Sequence, residues 1–482
     1  MWFLEWLGAR GRWGGVALAA LALFRGPIHA QSPPDALPGG KQKTAVIHPR
    51  EFGFDLPDGE VRAAQGENVE THDAAHQPVV ARLHVRVGDA AVVMLPGGEL
   101  VARQAAEFHL TQRPFQPLAK EKITENLAAE FPNFQIKQTK HYFYVYNTSE
   151  EFFQGTSRIL ETMLPGVTAY AEAQKIDCHD LDAPLVVVMF ATEEAFQKYR
   201  RMPRGVVAYY HTLSNRVFMY EQSRLAGVRP DLAQQQAIST VAHEGAHQIL
   251  HNIGVQQRLS IWPIWLSEGL AEYFAPTSMG KNLRWKGAGQ VNDLRMFELE
   301  QYLKGRAAEK PNGQMIEQTV GAARLTSTGY ASAWALTHYL AKARRNEFNQ
   351  YVRAVSKLRP LEGAVELTPQ GQVRGNRELF TKLFGTELVE MEKRLIVHLK
   401  NLPYTDPFAD LPHFVAAVTY RHGKRQLREL QTFHSQALAE KWVDDIRGKL
   451  PQEQLETVEA HIQVFPNRVT AETFAAQWLG GR

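Results

Sequence analysis

A chain of 482 residues, 44% of them hydrophobic, is long enough for two or three packed units with a substantial core. The formal charge is +3, and it falls to about +1 once a leader carrying Arg10, Arg12, Arg25 and Glu5 is set aside; so weak a net charge argues against a nucleic-acid partner. With Cys178 as its only cysteine the chain forms no internal disulfide, so its stability must come from packing.

The N-terminus places Arg10 and Arg12 ahead of an apolar run from Gly14 to Phe24, with Ile28-His29-Ala30 as a cleavage site. Residues 1–30 therefore read as a secretory signal. The run is shorter than the roughly 20 residues that span a bilayer, and no integral membrane span is expected beyond it. Export without disulfides suits a periplasmic or extracellular setting in a bacterial envelope. Residues 31–78, rich in Pro, Gly, Asp and Gln, read as a flexible arm. Residues 79–118 read as a small β-rich unit: apolar residues alternate from Val79 to Val93, and Pro96-Gly97-Gly98 marks a turn.

Residues 119–400 form the main domain. Strands are expected over 140–146, 184–190, 206–212 and 216–220, with a helix over 149–173 and a hairpin turn at Leu213-Ser214-Asn215. A mostly helical region follows over 232–399. Residues 401–482 read as a helical extension, with helices over 427–450 and 452–463 and no chemical motif. Two basic runs, Lys342 with Arg344 and Arg345, and Arg421 with Lys424, Arg425 and Arg428, read as solvated helix faces. The fold class is thus α+β: a small mixed sheet, then an active-site helix and a helical subdomain, with a β unit before and a helical tail after.

The chemistry lies in Val241-Ala242-His243-Glu244-Gly245-Ala246-His247. Histidines four apart stack on one helix face and can reach one ion together. Ile238, Val241, Ala242, Gly245 and Ile249 form an apolar stripe roughly opposite, which leaves both imidazoles free to line a cleft. Downstream, Trp265-Leu266-Ser267-Glu268-Gly269-Leu270-Ala271-Glu272-Tyr273-Phe274 reads as a second helix with carboxylates at 268 and 272 on one face. Two histidines and one carboxylate leave the fourth tetrahedral position of a zinc ion for water, the mark of a catalytic site.

His243-Glu244-x-x-His247, then 20 residues, then Glu268-Gly269-Leu270-Ala271-Glu272-Tyr273-Phe274 closely resembles the gluzincins, the peptidase MA-like clan of zinc peptidases. The chain looks most like an uncharacterised exported branch of that clan, and the likeness extends loosely over residues 134–399. The resemblance implies a zincin-like fold holding one Zn2+ per chain, with His243, His247 and Glu268 as ligands. It makes Glu244 the general base for water attack on a peptide bond. Glu272 would orient His243 through its second ring nitrogen.

The resemblance also suggests an oxyanion partner on the helix that Tyr330 begins, with Tyr330 as candidate and His338 as fallback. A peptide or protein substrate would add as a strand beside the 206–220 hairpin, where Tyr210, His211 and Asn215 are candidate contacts. The Gly-x-Met-Glu-Asn loop of the clan's aminopeptidases is not found before Glu244, which favours an endopeptidase. A non-catalytic zinc-binding envelope protein on the same scaffold, and zinc-dependent hydrolysis of a non-peptide bond, are the competing readings. Oligomeric state is not legible.

Overall fold

In the computed structural model the described residues are 45–203, 205–222, 230–278, 283–305, 310–367, 373–375 and 377–480. The expected signal at 1–30 and the start of the expected arm, residues 31–44, lie outside them. The described residues form two compact units, 404–480 being one and 45–403 the other.

The sheet of the larger unit grows from two runs that favour extended backbone, Tyr142–Tyr146 (YFYVY) and Leu185–Thr192 (LVVVMFAT). These strands pair in parallel, Val186 opposite Phe143, because helix Glu150–Ala173 carries the chain back between them. Ser149 caps that helix by accepting from the Phe152 N–H, and Glu150 and Glu151 in its first turn suit the positive end of the helix dipole. Strand Arg216–Gln222 adds in parallel to Leu185–Thr192, and Ala208–His211 adds antiparallel to Arg216–Gln222 as the sheet's edge. Gln135–Gln138 closes the other edge, antiparallel to Tyr142–Tyr146, so the five-stranded sheet is mixed. The four strands expected from the sequence are all present.

Helix Pro230–Asn252 packs against helix Glu150–Ala173. Gly245 permits the close approach, since a Cβ there would stand 2.3 Å from Leu160 Cδ2. Gln248, fully buried, donates to the carbonyls of Val186 and Asn215 and ties the helix to the sheet. Helix Ile264–Phe274 crosses helix Ser327–Ala343 at Gly269, where a Cβ would lie 2.7 Å from the Ala333 carbonyl oxygen. Backbone contact at that distance requires glycine.

Three expectations are corrected. The arm is not loose throughout: Val61–Ala63 and Asn68–His72 are strands that pair along one side of Pro78–Val87, opposite Ala90–Met94, in a six-stranded antiparallel sheet completed by Leu100–Arg103 and His109–Thr111. In Asn68–His72 only Val69 and Thr71 face inward, too few apolar side chains to mark a strand in the sequence. Nor is residues 79–118 a separate unit. Val85, Val92 and Leu100 share a core with Leu259 and Leu361, and the buried Arg258 guanidinium donates to the carbonyls of Gly98, Thr212 and Leu213.

The third correction concerns the tail. Strands His413–His422, Arg425–Phe433 and Glu459–Phe465 form an antiparallel sheet, and helices Gln436–Arg447 and Arg468–Gly480 accompany it. Arg421, Lys424, Arg425 and Arg428 sit on the hairpin turning at Gly423, φ 63°, and not on a helix. Strand Arg425–Phe433 is largely exposed and carries no apolar alternation to reveal it, whereas Glu459–Phe465 does alternate, with Ala460, Ile462 and Val464 between Glu459, His461 and Gln463, and stands where a helix over 452–463 was expected. Among the described residues, no helix is long and apolar enough to cross a membrane.

Candidate metal centre

The four-residue spacing on helix Pro230–Asn252 brings His243 and His247 together with their Nε2 atoms 3.2 Å apart. The crossing of helix Ile264–Phe274 delivers Glu268 Oε2 to 3.1 Å from His243 Nε2 and 3.4 Å from His247 Nε2. Ligands held about 2.0–2.1 Å from a tetrahedral zinc stand about 3.3 Å from one another, so these three atoms match one face of such a coordination shell. Among the described residues this is the only group of three or more histidine, cysteine or acidic side chains arranged to hold a metal ion.

The electrostatics also suit a cation. Burial would raise the Glu268 pKa, but the two imidazoles outweigh it and pull the carboxyl down to about 2. Burial opposes a charge on His243, yet Glu272 and Glu268 lift its pKa well above the ordinary imidazole value. The pocket is therefore built to hold positive charge against two carboxylates. The donor set, two imidazoles and one carboxylate, fits zinc.

Behind His243, Glu272 Oε1 lies 3.1 Å from Nδ1. Glu272 is itself held on both oxygens: Asn292 Nδ2 donates to Oε2 at 2.8 Å and Arg295 Nη2 to Oε1 at 2.6 Å. Burial would raise its pKa, but Arg295 and His243 hold it well below the carboxylate range. Asn292 has a second task, accepting from the Arg295 N–H at the start of helix Asp293–Gly305. An N-cap at Asn292 is readable from its position before Asp293-Leu294. The role of Arg295 is not, since nothing local in sequence links it to a carboxylate 23 residues earlier.

Glu244 is buried, and its Oε2 accepts from the Tyr210 backbone N–H at 2.8 Å. Among the described residues Oε1 has no hydrogen-bond partner. Burial raises the Glu244 pKa, and the neighbouring histidines offset only part of that. Tyr330 is buried with its ring edge-on to His243, centroids 6.1 Å apart, so the candidate oxyanion residue does face the ligand helix. The fallback His338 instead pairs with His398 at 2.9 Å and packs on Trp334 and Tyr273.

The expected substrate contacts divide. Tyr210 and Asn215 are buried in the joint between hairpin and helix: the Tyr210 hydroxyl donates to Asn215 Oδ1, and Asn215 exchanges amide hydrogen bonds with Asn252. Asn215 has φ 59°, as a hairpin turn residue that must reverse the chain. What sequence reasoning missed is that Tyr210 reaches the site through its peptide N–H and not its ring. His211 is only partly buried and bonds Ser214 Oγ at 2.8 Å.

An α+β fold presenting two histidines and a glutamate at one point defines a candidate metalloprotein. Residues 237–362 match the model of a family described as "Protein of unknown function (DUF1570)", a stretch containing all three candidate ligands, Glu244, Glu272 and Tyr330. A comparison with curated proteins gave no match.

Proposed function

We propose that the protein is an exported zinc metallopeptidase, acting on peptide or protein substrates in a bacterial envelope or outside the cell, with endopeptidase cleavage favoured. The observation that carries this reading is the convergence of His243, His247 and Glu268 at 3.1–3.4 Å beside a buried glutamate, Glu244, one of whose oxygens has no partner among the described residues. A zinc ion on these ligands supplies Lewis acidity to a water molecule and to the scissile carbonyl.

The remaining steps belong to the protein. The Tyr210 N–H fixes Glu244 Oε2, which leaves Oε1 to take the proton of the attacking water and pass it to the leaving amine. A raised pKa makes Glu244 a stronger base than an exposed carboxylate. Tyr330 supplies the donor for the charge that develops on the carbonyl oxygen. Substrate pairs by its backbone with edge strand Ala208–His211, and the burial of the Tyr210 and Asn215 side chains leaves main-chain contacts as the basis of binding.

The test is zinc content and casein cleavage by purified residues 31–482, with E244Q alongside. One zinc per chain with cleavage lost in E244Q supports the proposal. One zinc without cleavage would favour the non-catalytic zinc-binding scaffold, and a wild-type protein that takes up no zinc would overturn the reading.

A further inference from the structure

Arg295 connects the back of the metal centre with the helix that carries Tyr330. Its side chain is largely buried, and its fork spans two carboxylates: Nη2 donates to Glu272 at 2.6 Å and Nη1 to Glu298 at 2.8 Å. Glu298 in turn accepts from Ser327 Oγ at 2.7 Å, and Ser327 is the first residue of helix Ser327–Ala343, three before Tyr330. The guanidinium carbon also lies 5.4 Å from the centroid of the Tyr330 ring. The chain of contacts thus runs from His243 through Glu272, Arg295 and Glu298 to the helix of Tyr330.

Geometry makes the guanidinium hard to replace. Glu272 is sealed from solvent, and a buried carboxylate without a cation partner bears a desolvation cost that favours its protonation or its movement towards water. Asn292 offers one neutral donor and cannot supply that charge. A lysine would carry the charge, but a single ammonium lacks the planar fork that reaches Glu272 and Glu298 together.

We infer that Arg295 is a positioning residue for the metal centre: it fixes Glu272 against His243 and, through Glu298 and its contact with the ring, holds Tyr330 in register with the same imidazole. The inference rests on the reading of His243, His247 and Glu268 as a zinc site. It concerns affinity for the ion and does not require that the protein cleave peptides.

The experiment is zinc affinity by chelator competition for wild type, R295K, R295M, E272Q and R295M/E272Q, with circular dichroism melts of each metal-free protein. R295M is expected to bind zinc about 10–100-fold more weakly, the range seen when groups that orient a metal-binding histidine are removed. R295K should show a smaller but clear loss. In the E272Q background R295M should cost little more, because Arg295 acts on zinc through Glu272. A residue with only a structural role would lower the melts and leave this non-additivity absent.

Wild-type zinc affinity in folded R295M, or in folded R295K should R295M not fold, would overturn the inference and leave the zinc site standing. Full additivity with E272Q would overturn it too. Failure of the wild type to bind zinc would remove the underlying reading and the inference together.

Discussion

Among the described residues, His243, His247 and Glu268 form the one group of three or more histidine, cysteine or acidic side chains arranged to hold a metal ion, so each is expected to be indispensable for metal. H247A and E268A should each lose stoichiometric zinc, measured by metal analysis of the purified protein; zinc retained in full by E268A would show that the third ligand had been misassigned. Glu244 should behave differently. Burial raises its pKa above 4.5, so ionising it costs more in the folded metal-free protein than in the unfolded chain. The cost of ionising it is absent below about pH 4.5, where the unfolded chain is protonated as well, and grows to its full value above the folded pKa. E244Q removes that cost. The metal-free mutant is therefore expected to melt above wild type at pH 7, with the gap closing as the pH falls towards 4.5. A gap that widened in acid would contradict the assignment of burial as the dominant influence. These residues were legible in the sequence because helical spacing alone brings His243 to His247, and the Glu268 motif supplies the rest. Tyr210 and Asn215 misled for a physical reason: aromatic and amide side chains on a hairpin look alike whether they face a cleft or close a buried joint.

At the scale of elements, two glycines set how closely the helices of the site approach, and they are predicted to differ. At Gly245 a new methyl would meet Leu160 Cδ2, the end of a side chain that can rotate away, and alanine also favours the helix by about 1 kcal/mol. G245A should therefore be near neutral in a thermal melt. At Gly269 the methyl would meet Thr337 Oγ1 and, at 2.7 Å, the Ala333 backbone oxygen, which cannot yield without moving helix Ser327–Ala343. G269A should cost about 1–3 kcal/mol, the usual range for overpacking. Equal melts for the two variants would refute the distinction. Elements with both faces buried, such as Leu185–Thr192, were legible as unbroken apolar runs. Strand Arg425–Phe433 was not: most of it is exposed, and Leu427 and Leu430 stand three apart as on a helix.

At the scale of the molecule, the question is which part of the chain the metal centre needs. Its ligands and every polar contact that fixes them lie between Tyr210 and Tyr330, with Arg258 joining the hairpin at Thr212 and Leu213 to the N-terminal sheet at Gly98. That sheet is thus part of the site's foundation, because its core residues Val85, Val92 and Leu100 close over Leu259 and Leu361. Residues 404–480 belong to the other compact unit. They have their own core of Ala416, Val418, Ala439, Val443 and Ile446, and Arg468 pairs with Asp406 inside the same unit at 2.6 Å. A chain of residues 31–403 is therefore expected to fold cooperatively and to bind zinc with the affinity of residues 31–482, by circular dichroism melts and chelator competition. A chain of residues 119–482, lacking the N-terminal sheet, should lose that affinity, because Leu259, Leu361 and Arg258 would each lose partners across a buried surface. The reverse pattern, with zinc lost on removing 404–482 and kept on removing the N-terminal sheet, would place the foundation of the site in the wrong part of the chain.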